Sequence, residues 1–545
     1  MTGEQDFDYD EVYGNWKWVI PVYFNMGADC VDKHVKEGRG DRTALIWEND
    51  KGETATFTYA EMKALTNKFG NVLKGLGLGK GDRYLIRLPN LPQFQIAFLG
   101  GLKIGAVPIP SSCMFKPHEV EYRLVDSDAK MAISVPGYVG AIDEVMGNCP
   151  GLKDVVVVGE AGEAHLSLDD LMANASEELE VERTRADDIA FFCYTSGTTG
   201  SPKGAVHLHH WTIGNDPSML FWNHGRAGDI LAHTGDLNWI FPLGNGFLYA
   251  WRNGMTTFIY DGRFDPVKWF ELIERHRITN LASVPTCYRM FLQVEGFERK
   301  WDLSSLRHCI SAGEPLNPEV VVEWKKLLGL EILDGIGMTE CMVYLSNLKG
   351  MAVKAGSCGK PQPGHICTIV DENGNELGVR EEGTLAIKLG DPGLFREYWN
   401  KPDRTAEVFK NGWFLTGDTL YIDEDGYYWF AGRGDDLIMT AGYRVSPFDV
   451  ESAVNTHPAV LESAAVASPD AIRGVIVKSF VVLNPGHEPS DELAKEIQQH
   501  CKKMIAAYEY PREVEFTSFL PKTQSGKTKR KLLREQELEK AKKSS

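Results

Sequence analysis

Asn280-Leu-Ala-Ser-Val-Pro-Thr286, His308-Cys-Ile-Ser-Ala-Gly-Glu-Pro315 and Glu331-Ile-Leu-Asp-Gly-Ile-Gly-Met-Thr-Glu340 are three short apolar runs, each ending in small and polar residues. The intervening stretches read as helices: Val267 to His276 precedes the first run, one follows Pro285, and Pro318 to Leu328 precedes the third. Strands at Asn280–Val284, His308–Ser311 and Glu331–Leu333 alternating with helices predict a largely parallel sheet covered on both faces. Ligands bind beyond the carboxyl ends of such strands. The loops Ser283–Thr286, Ser311–Pro315 and Asp334–Glu340 are therefore nominated as one face of a site.

Towards the N-terminus the alternation recurs: a helix over Tyr59–Leu76, a strand over Tyr84–Leu88, another helix and a strand over Ala106–Ile109. Gly77, Gly79 and Gly81 lack the spacing of a dinucleotide fingerprint and follow a helix, so they read as a turn. After Arg380 come short strands at Gly383–Leu389, Leu420–Ile422 and Tyr427–Phe430, the last two joined by the turn Asp423-Glu-Asp-Gly426. Beyond Gly432, a helix at Val450–Thr456, strands at Ala464–Ala467 and Val477–Leu483, a helix at Asp491–Ile505 and a strand at Glu513–Phe516 fit a small α+β unit. The basic stretch Lys527–Lys543 reads as a solvated end-helix. The fold class is α/β: a large N-terminal domain with doubly wound sheets plus a β-rich subdomain, and a small C-terminal domain.

Bulk properties agree. A chain of 545 residues with 43% hydrophobic and 25% charged residues is of globular composition and calls for at least two domains. A net charge of -18 disfavours nucleic acid or an anionic membrane as partner. Met1–Asp10 is acidic, without the pattern of a signal peptide, and no apolar run has the length of a membrane span, so a cytoplasmic address is expected. The ten cysteines include no C-x-x-C pair and read as free thiols.

The densest chemistry lies in Tyr194-Thr-Ser-Gly-Thr-Thr-Gly-Ser-Pro-Lys203-Gly204, which follows the apolar strand Ile189–Tyr194. Gly197 and Gly200 let backbone N–H groups converge on an anion, Ser196, Thr198 and Thr199 add hydroxyls, and Lys203 adds charge. This is a phosphate cradle without the spacing of a Walker loop. His207, His209 and His210 lack companion ligands at metal spacing and read as a helix-entry segment behind the loop.

The loop resembles the signature of the adenylate-forming superfamily of acyl-CoA synthetases, luciferases and peptide-synthetase adenylation domains. Asp334-Gly-Ile-Gly-Met-Thr339-Glu340, Gly412-Trp-Phe-Leu-Thr-Gly-Asp418, Gly432-Arg433-Gly-Asp435-Asp436 and Pro521-Lys-Thr-Gln-Ser-Gly-Lys527 match its further motifs in order. The resemblance implies a large domain over 1–433 and a small mobile domain over 434–545. It implies that ATP is held by Thr195, Ser196, Gly197, Thr198, Thr199, Gly200, Lys203, Gly313, Glu314, Pro315, Asp334, Gly335, Ile336, Gly337, Asp418 and Arg433. Asp334 would take the adenine amine and Asp418 the ribose hydroxyls. Ile336 stands where many relatives carry an aromatic residue, so stacking gives way to aliphatic contact.

Lys527, Thr339 and Glu340 would be catalytic, Glu340 as the Mg²⁺ ligand, and Asp435 the hinge. Gly442, Tyr443, Arg444 and Arg473 would face coenzyme A. The segment Gly235–Leu248 lies where relatives place the acyl-pocket wall: Trp239 and Phe241 would bound it, with Gly244 and Gly246 leaving room. Gly442–Glu451 and Ser468–Gly474 are most similar to the medium-chain acyl-CoA synthetases, and Asp334–Gly337 resembles benzoate-CoA ligases. The implied activity is AMP-forming ligation of a short- to medium-chain, branched or single-ring acid to coenzyme A. A luciferase-like oxygenase and a carrier-protein acyl ligase are the alternatives. The implied partners are the acid, ATP, Mg²⁺ and coenzyme A; a homo-oligomer is compatible with the sequence.

Overall fold

The computed structural model describes residues 7–195, 202–433, 436, 438–440, 443–470, 474–505, 509–522 and 527–544. Two sheets build the large domain. The first is parallel throughout, in the order Val107–Pro110, Arg83–Ile86, Met131–Ser134, Asp154–Val157 and Leu166–Ser167. The preceding helix, Tyr59–Gly75, starts on a capping box: Glu61 N–H donates to Thr58 Oγ1 at 3.2 Å and Thr58 N–H to Glu61 Oε2 at 2.7 Å. It ends in the expected glycine turn, with Gly77 and Gly81 at φ of 80° and 83°.

The second sheet has nine strands. Its interior, Ile332–Met338, His308–Ser311, Asn280–Ser283, Ile230–His233, Thr256–Asp261 and Thr43–Asn49, is parallel. Its edges, Thr54–Thr58 on one side and Cys341–Ser346 with Lys360–Pro361 on the other, are antiparallel. From Ile230–His233 the chain goes to Thr256–Asp261 on one side and then to Asn280–Ser283 on the other. The strand order therefore reverses there and opens a crevice at the carboxyl ends.

The hairpin Ile189–Tyr194/Gly204–Leu208 is wedged between the two sheets. Phe191 and Cys193 enter one hydrophobic core, Phe192 and Tyr194 the other, which is why this strand is apolar without alternation. The β-rich part pairs Cys367–Val370, Gly383–Lys388, Trp413–Ile422 and Phe409–Lys410, with Tyr428–Arg433 against Trp413–Ile422. Its turn follows the expectation: Asp423 Oδ1 accepts from the N–H groups of Asp425 and Tyr427 at 3.0 and 2.9 Å.

The small C-terminal domain packs helices Pro447–Asn455, Asp491–Met504 and Arg530–Ser544 around the sheet Val460–Asp470, Gly474–Leu483 and Glu513–Phe516. Ile438, Val450, Val454, Val477, Val481 and Ile497 belong to a core of its own. Among the described residues no helix is long and apolar enough to cross a membrane.

Candidate active site

A cleft of about 880 Å³ opens beyond the carboxyl ends of the nine-stranded sheet, with Trp239, Thr286, Gly313, Asp334 and Asp418 on its walls and Lys527 reaching it from the C-terminal domain. Among the described residues, the buried oxygens Glu314 Oε1 and Asp334 Oδ1 on its wall, and Ser311 Oγ on the strand beside Asp334, have no hydrogen-bond partner. Such atoms call for a polar ligand. Burial pushes the Asp334 carboxyl well above the usual carboxylate range. The other oxygen of Glu314 is fixed by the Thr286 hydroxyl at 2.9 Å, and Arg289 donates to Thr286 Oγ1 at 2.7 Å. Thr286 closes the loop Ser283–Thr286 nominated from sequence, whereas Arg289, within the helix Pro285–Leu292, carries no such signal there.

Gly313 has φ of 100°, a conformation that glycine alone adopts freely. Glu314, Pro315, Gly335, Ile336 and Gly337 also line the cleft. The expected loop Asp334–Glu340 is mostly strand: Ile332–Met338 bends and pairs antiparallel with Cys341–Ser346, through Ile336–Leu345, Gly337–Val343 and Met338–Cys341. The glycines make that approach possible, since a Cβ on Gly337 would stand 2.0 Å from the Met342 carbonyl oxygen. Asp418, 6% exposed, sits in Trp413–Ile422 opposite Arg433.

Thr195 N–H donates to the Lys203 carbonyl at 2.9 Å and Lys203 N–H to Thr195 Oγ1 at 3.3 Å, closing the base of the phosphate loop. Ser196, Gly197, Thr198, Thr199 and Gly200 lie outside the described residues. Thr339 and Glu340 form the turn after Met338. Glu340 is buried; among the described residues its carboxylate accepts one hydrogen bond, from the Tyr398 hydroxyl at 2.5 Å, and makes no ion pair. A buried carboxylate so placed suits a divalent cation. Mg²⁺ is an ion that takes one or two carboxylates and leaves its other positions to water and phosphate.

His209 and His210 form the turn that enters the helix Trp211–Gly214, with His210 at its N-cap, as expected, while His207 precedes that entry. His207 lies on the strand Gly204–Leu208 and stacks on Phe191 at 4.7 Å. His209 Nδ1 accepts from Met26 N–H at 3.1 Å, and His210 Nδ1 bonds the Pro392 carbonyl at 3.0 Å. Burial pushes His207 and His209 down to about 3, so both rings are neutral.

Lys527 is exposed on the cleft wall and is carried by a buttressed segment: Lys529 N–H donates to the Pro521 carbonyl at 2.7 Å, and Arg530 binds Glu451. Asp435, Gly442 and Arg473 lie outside the described residues, and Arg433, Tyr443 and Arg444 are placed only by their strands, Tyr428–Arg433 and Tyr443–Val445.

The acyl-pocket reading needs correction. Trp239 does line the cleft, but Phe241, Gly244 and Gly246 are buried behind it and are absent from the lining. Phe241 packs on His233 and Trp222, with ring centroids 4.5 and 5.9 Å apart. The two glycines leave no room: a Cβ on Gly244 would come within 3.0 Å of the Tyr249 ring, and one on Gly246 within 2.9 Å of His233 Cβ. They sit where the helix from Ile240 to Arg252 widens into a π-turn, Gly244–Leu248. The second wall residue is instead Phe115, 6.0 Å from Trp239 edge to face and covered by the Arg123 guanidinium at 3.6 Å. It comes from the loop after Val107–Pro110, a strand of the other sheet, a distance in sequence that no periodicity spans.

Residues 31–399 match the AMP-binding enzyme family and residues 449–527 the AMP-binding enzyme C-terminal domain. The chain belongs to that family. It is 39% identical to acyl-coenzyme A synthetase ACSM3, mitochondrial, of Homo sapiens, over 98% of this chain and 93% of the relative. Its structure is similar, with TM-score 0.90 and 32% identity, to the anthranilate CoA ligase AuaEII in complex with anthranoyl-AMP, over 96% of this chain and 99% of that one. It is also similar, with TM-score 0.84 and 32% identity, to a benzoate CoA ligase from Burkholderia xenovorans LB400, over 94% of this chain and 100% of that one. The protein is an AMP-forming acyl-CoA ligase, using ATP, a carboxylic acid and coenzyme A.

Proposed function

We propose that this ligase activates a compact monocarboxylic acid, short to medium in chain length and branched or single-ring, in the cytoplasm. The observation that carries this reading is the shared lining: Asp334, Asp418, Trp239 and Lys527 all face one cleft. The orphaned oxygens of Ser311, Glu314 and Asp334 take the adenine edge, Asp418 the ribose, and Lys203 with the loop after Thr195 the phosphates. Thr339 bonds the α-phosphate. Glu340 would hold Mg²⁺, whose charge would offset that of the phosphates. Lys527 meets the acid carboxylate and the α-phosphate, stabilising charge that grows as the carboxylate oxygen attacks phosphorus and pyrophosphate leaves. The coenzyme A thiol then attacks the acyl carbon and AMP departs.

The two steps need different groups at one place. The domain after residue 433 turns about Asp435 to exchange Lys527 for Gly442, Tyr443 and Arg444, with Arg473 further along the coenzyme A path. The Trp239–Phe115 wall sets acid size. Arg123 and Arg289 also border the cleft, but the first is committed to the Phe115 ring and the Glu119 carbonyl (2.7 Å) and the second to Thr286. Neither arginine is thus left open to pair with a second carboxylate on the acid. The test is pyrophosphate release over a panel of acids: benzoate-sized and branched acids should lead, and preference for long-chain or dicarboxylic acids would overturn the reading.

A further inference from the structure

Residues 395–399 run beside the phosphate hairpin and the Glu340 turn together. Arg396 N–H donates to the Val206 carbonyl at 2.8 Å, Val206 N–H to Glu397 at 3.0 Å, and Trp399 N–H to Gly204 at 2.8 Å. On the same segment, Phe395 N–H donates to the Glu340 carbonyl at 2.7 Å. Tyr398, 3% exposed, stands at the centre of this strap. Its hydroxyl donates to Glu340 Oε1 at 2.5 Å, and the Lys203 ammonium lies over its ring, 4.3 Å from the centroid. Phe395 packs against that ring at 4.7 Å and keeps it from turning away.

We infer that Tyr398 is a positioning residue for the adenylation step, orienting Glu340 through its hydroxyl and supporting Lys203 with its ring face. The chemistry is complementary. A phenol that donates to one carboxylate oxygen leaves the other free for a cation and fixes the direction it faces, as outer-shell donors do at metal sites. The ring face attracts the ammonium without neutralising it, so Lys203 keeps its charge for phosphate. This inference rests on the reading of Glu340 as the Mg²⁺ ligand.

The test uses the full-length enzyme with Tyr398→Phe, which removes only the hydroxyl, Tyr398→Leu, which also removes the ring, Glu340→Gln, and the double variant Tyr398→Phe/Glu340→Gln. Thermal melting confirms that each folds. In ATP/pyrophosphate exchange, Tyr398→Phe should raise the Mg²⁺ needed for half-maximal rate ~10-fold. Its acyl transfer from a supplied acyl-adenylate to coenzyme A should be unchanged. Calorimetric binding of ATP without Mg²⁺ should match wild type for Tyr398→Phe and weaken for Tyr398→Leu. The double variant should be no worse than Glu340→Gln, because the hydroxyl acts through that carboxylate. Independent, multiplying effects, or an unmoved Mg²⁺ requirement in Tyr398→Phe while Glu340→Gln shifts it, would overturn the inference alone. An unmoved requirement in Glu340→Gln would remove the Glu340 reading and this inference with it.

Discussion

Arg530 donates two hydrogen bonds to the Glu451 carboxylate, at 2.9 and 2.6 Å, so the first residue of helix Arg530–Ser544 is pinned to helix Pro447–Asn455 just beyond Lys527. Glu451 also accepts from Ala465 N–H at 2.8 Å, which ties the pair to the C-terminal sheet. The arm that presents Lys527 is thus anchored to its own domain. Glu451→Ala should lower the stability of that domain by about 1–3 kcal/mol, since it removes both hydrogen bonds from the guanidinium and leaves it Asp436 at 3.9 Å. It should also slow adenylation ~10-fold by loosening the arm. Melting curves and pyrophosphate exchange check the two effects; a stable variant with normal exchange would show that the pair does not position Lys527.

Lys527→Ala removes the cation itself. Adenylation should fall ~10²-fold or more, the scale of losing one preorganised donor. Thioester formation from supplied acyl-adenylate should survive, because under the proposed rotation Gly442 and its neighbours would take the lysine's place in that step. Equal loss in both half-reactions would refute the division of labour between two domain poses.

Asp334 offers a test of the adenine end. Asp334→Asn keeps an acceptor in a place where burial already favours the neutral acid, so the KM for ATP should change little. Asp334→Leu removes it and should raise the KM for ATP ~10-fold or more. Similar kinetics for the two variants would move the adenine elsewhere.

Acid preference separates wall from core. Trp239→Gly should shift the preferred acid to larger sizes, because it opens the cleft beside Phe115. Gly246→Ala should lower stability by about 1–3 kcal/mol through its clash with His233, while leaving the ranking of acids intact. The pyrophosphate-release panel with thermal melting decides; a ranking altered by Gly246→Ala alone would return that glycine to the pocket.

Away from the site, Glu48 is fully buried. Burial pushes its carboxyl up, but hydrogen bonds from His276, Lys268 and Arg275 outweigh this and hold it at about 2, against an ordinary 4.5. A carboxyl held low stabilises the fold fully above its ordinary value and loses that contribution as pH falls towards about 2. The contribution is on the order of 3 kcal/mol. Melting series from neutral to acid pH should therefore show wild type losing more stability than Glu48→Gln between about pH 5 and 3. Parallel curves would show that the cluster carries no such linkage.

Local signals settled much of this protein from sequence alone. The strands Ile189–Tyr194 and His308–Ser311 and the helix Pro318–Leu328 coincide with their expected bounds, because apolar runs and helix periodicity are properties of consecutive residues. The motif residues Asp334, Asp418 and Lys527 were nameable for the same reason: each sits in a short, chemically dense string. What sequence could not give was pairing at a distance. The strand Gly204–Leu208 exists because Ile189–Tyr194 lies beside it, and Ile332–Met338 runs on past Leu333 because Cys341–Ser346 folds back onto it. Phe115 meets Trp239 across two sheets, and Tyr398 reaches Glu340 from 58 residues away. In isolation each of these aromatics resembles ordinary core filling, and Gly244 and Gly246 resemble open space. Only the tertiary structure brings the atoms within hydrogen-bond or van der Waals range, and those forces act over a few ångströms regardless of distance along the chain.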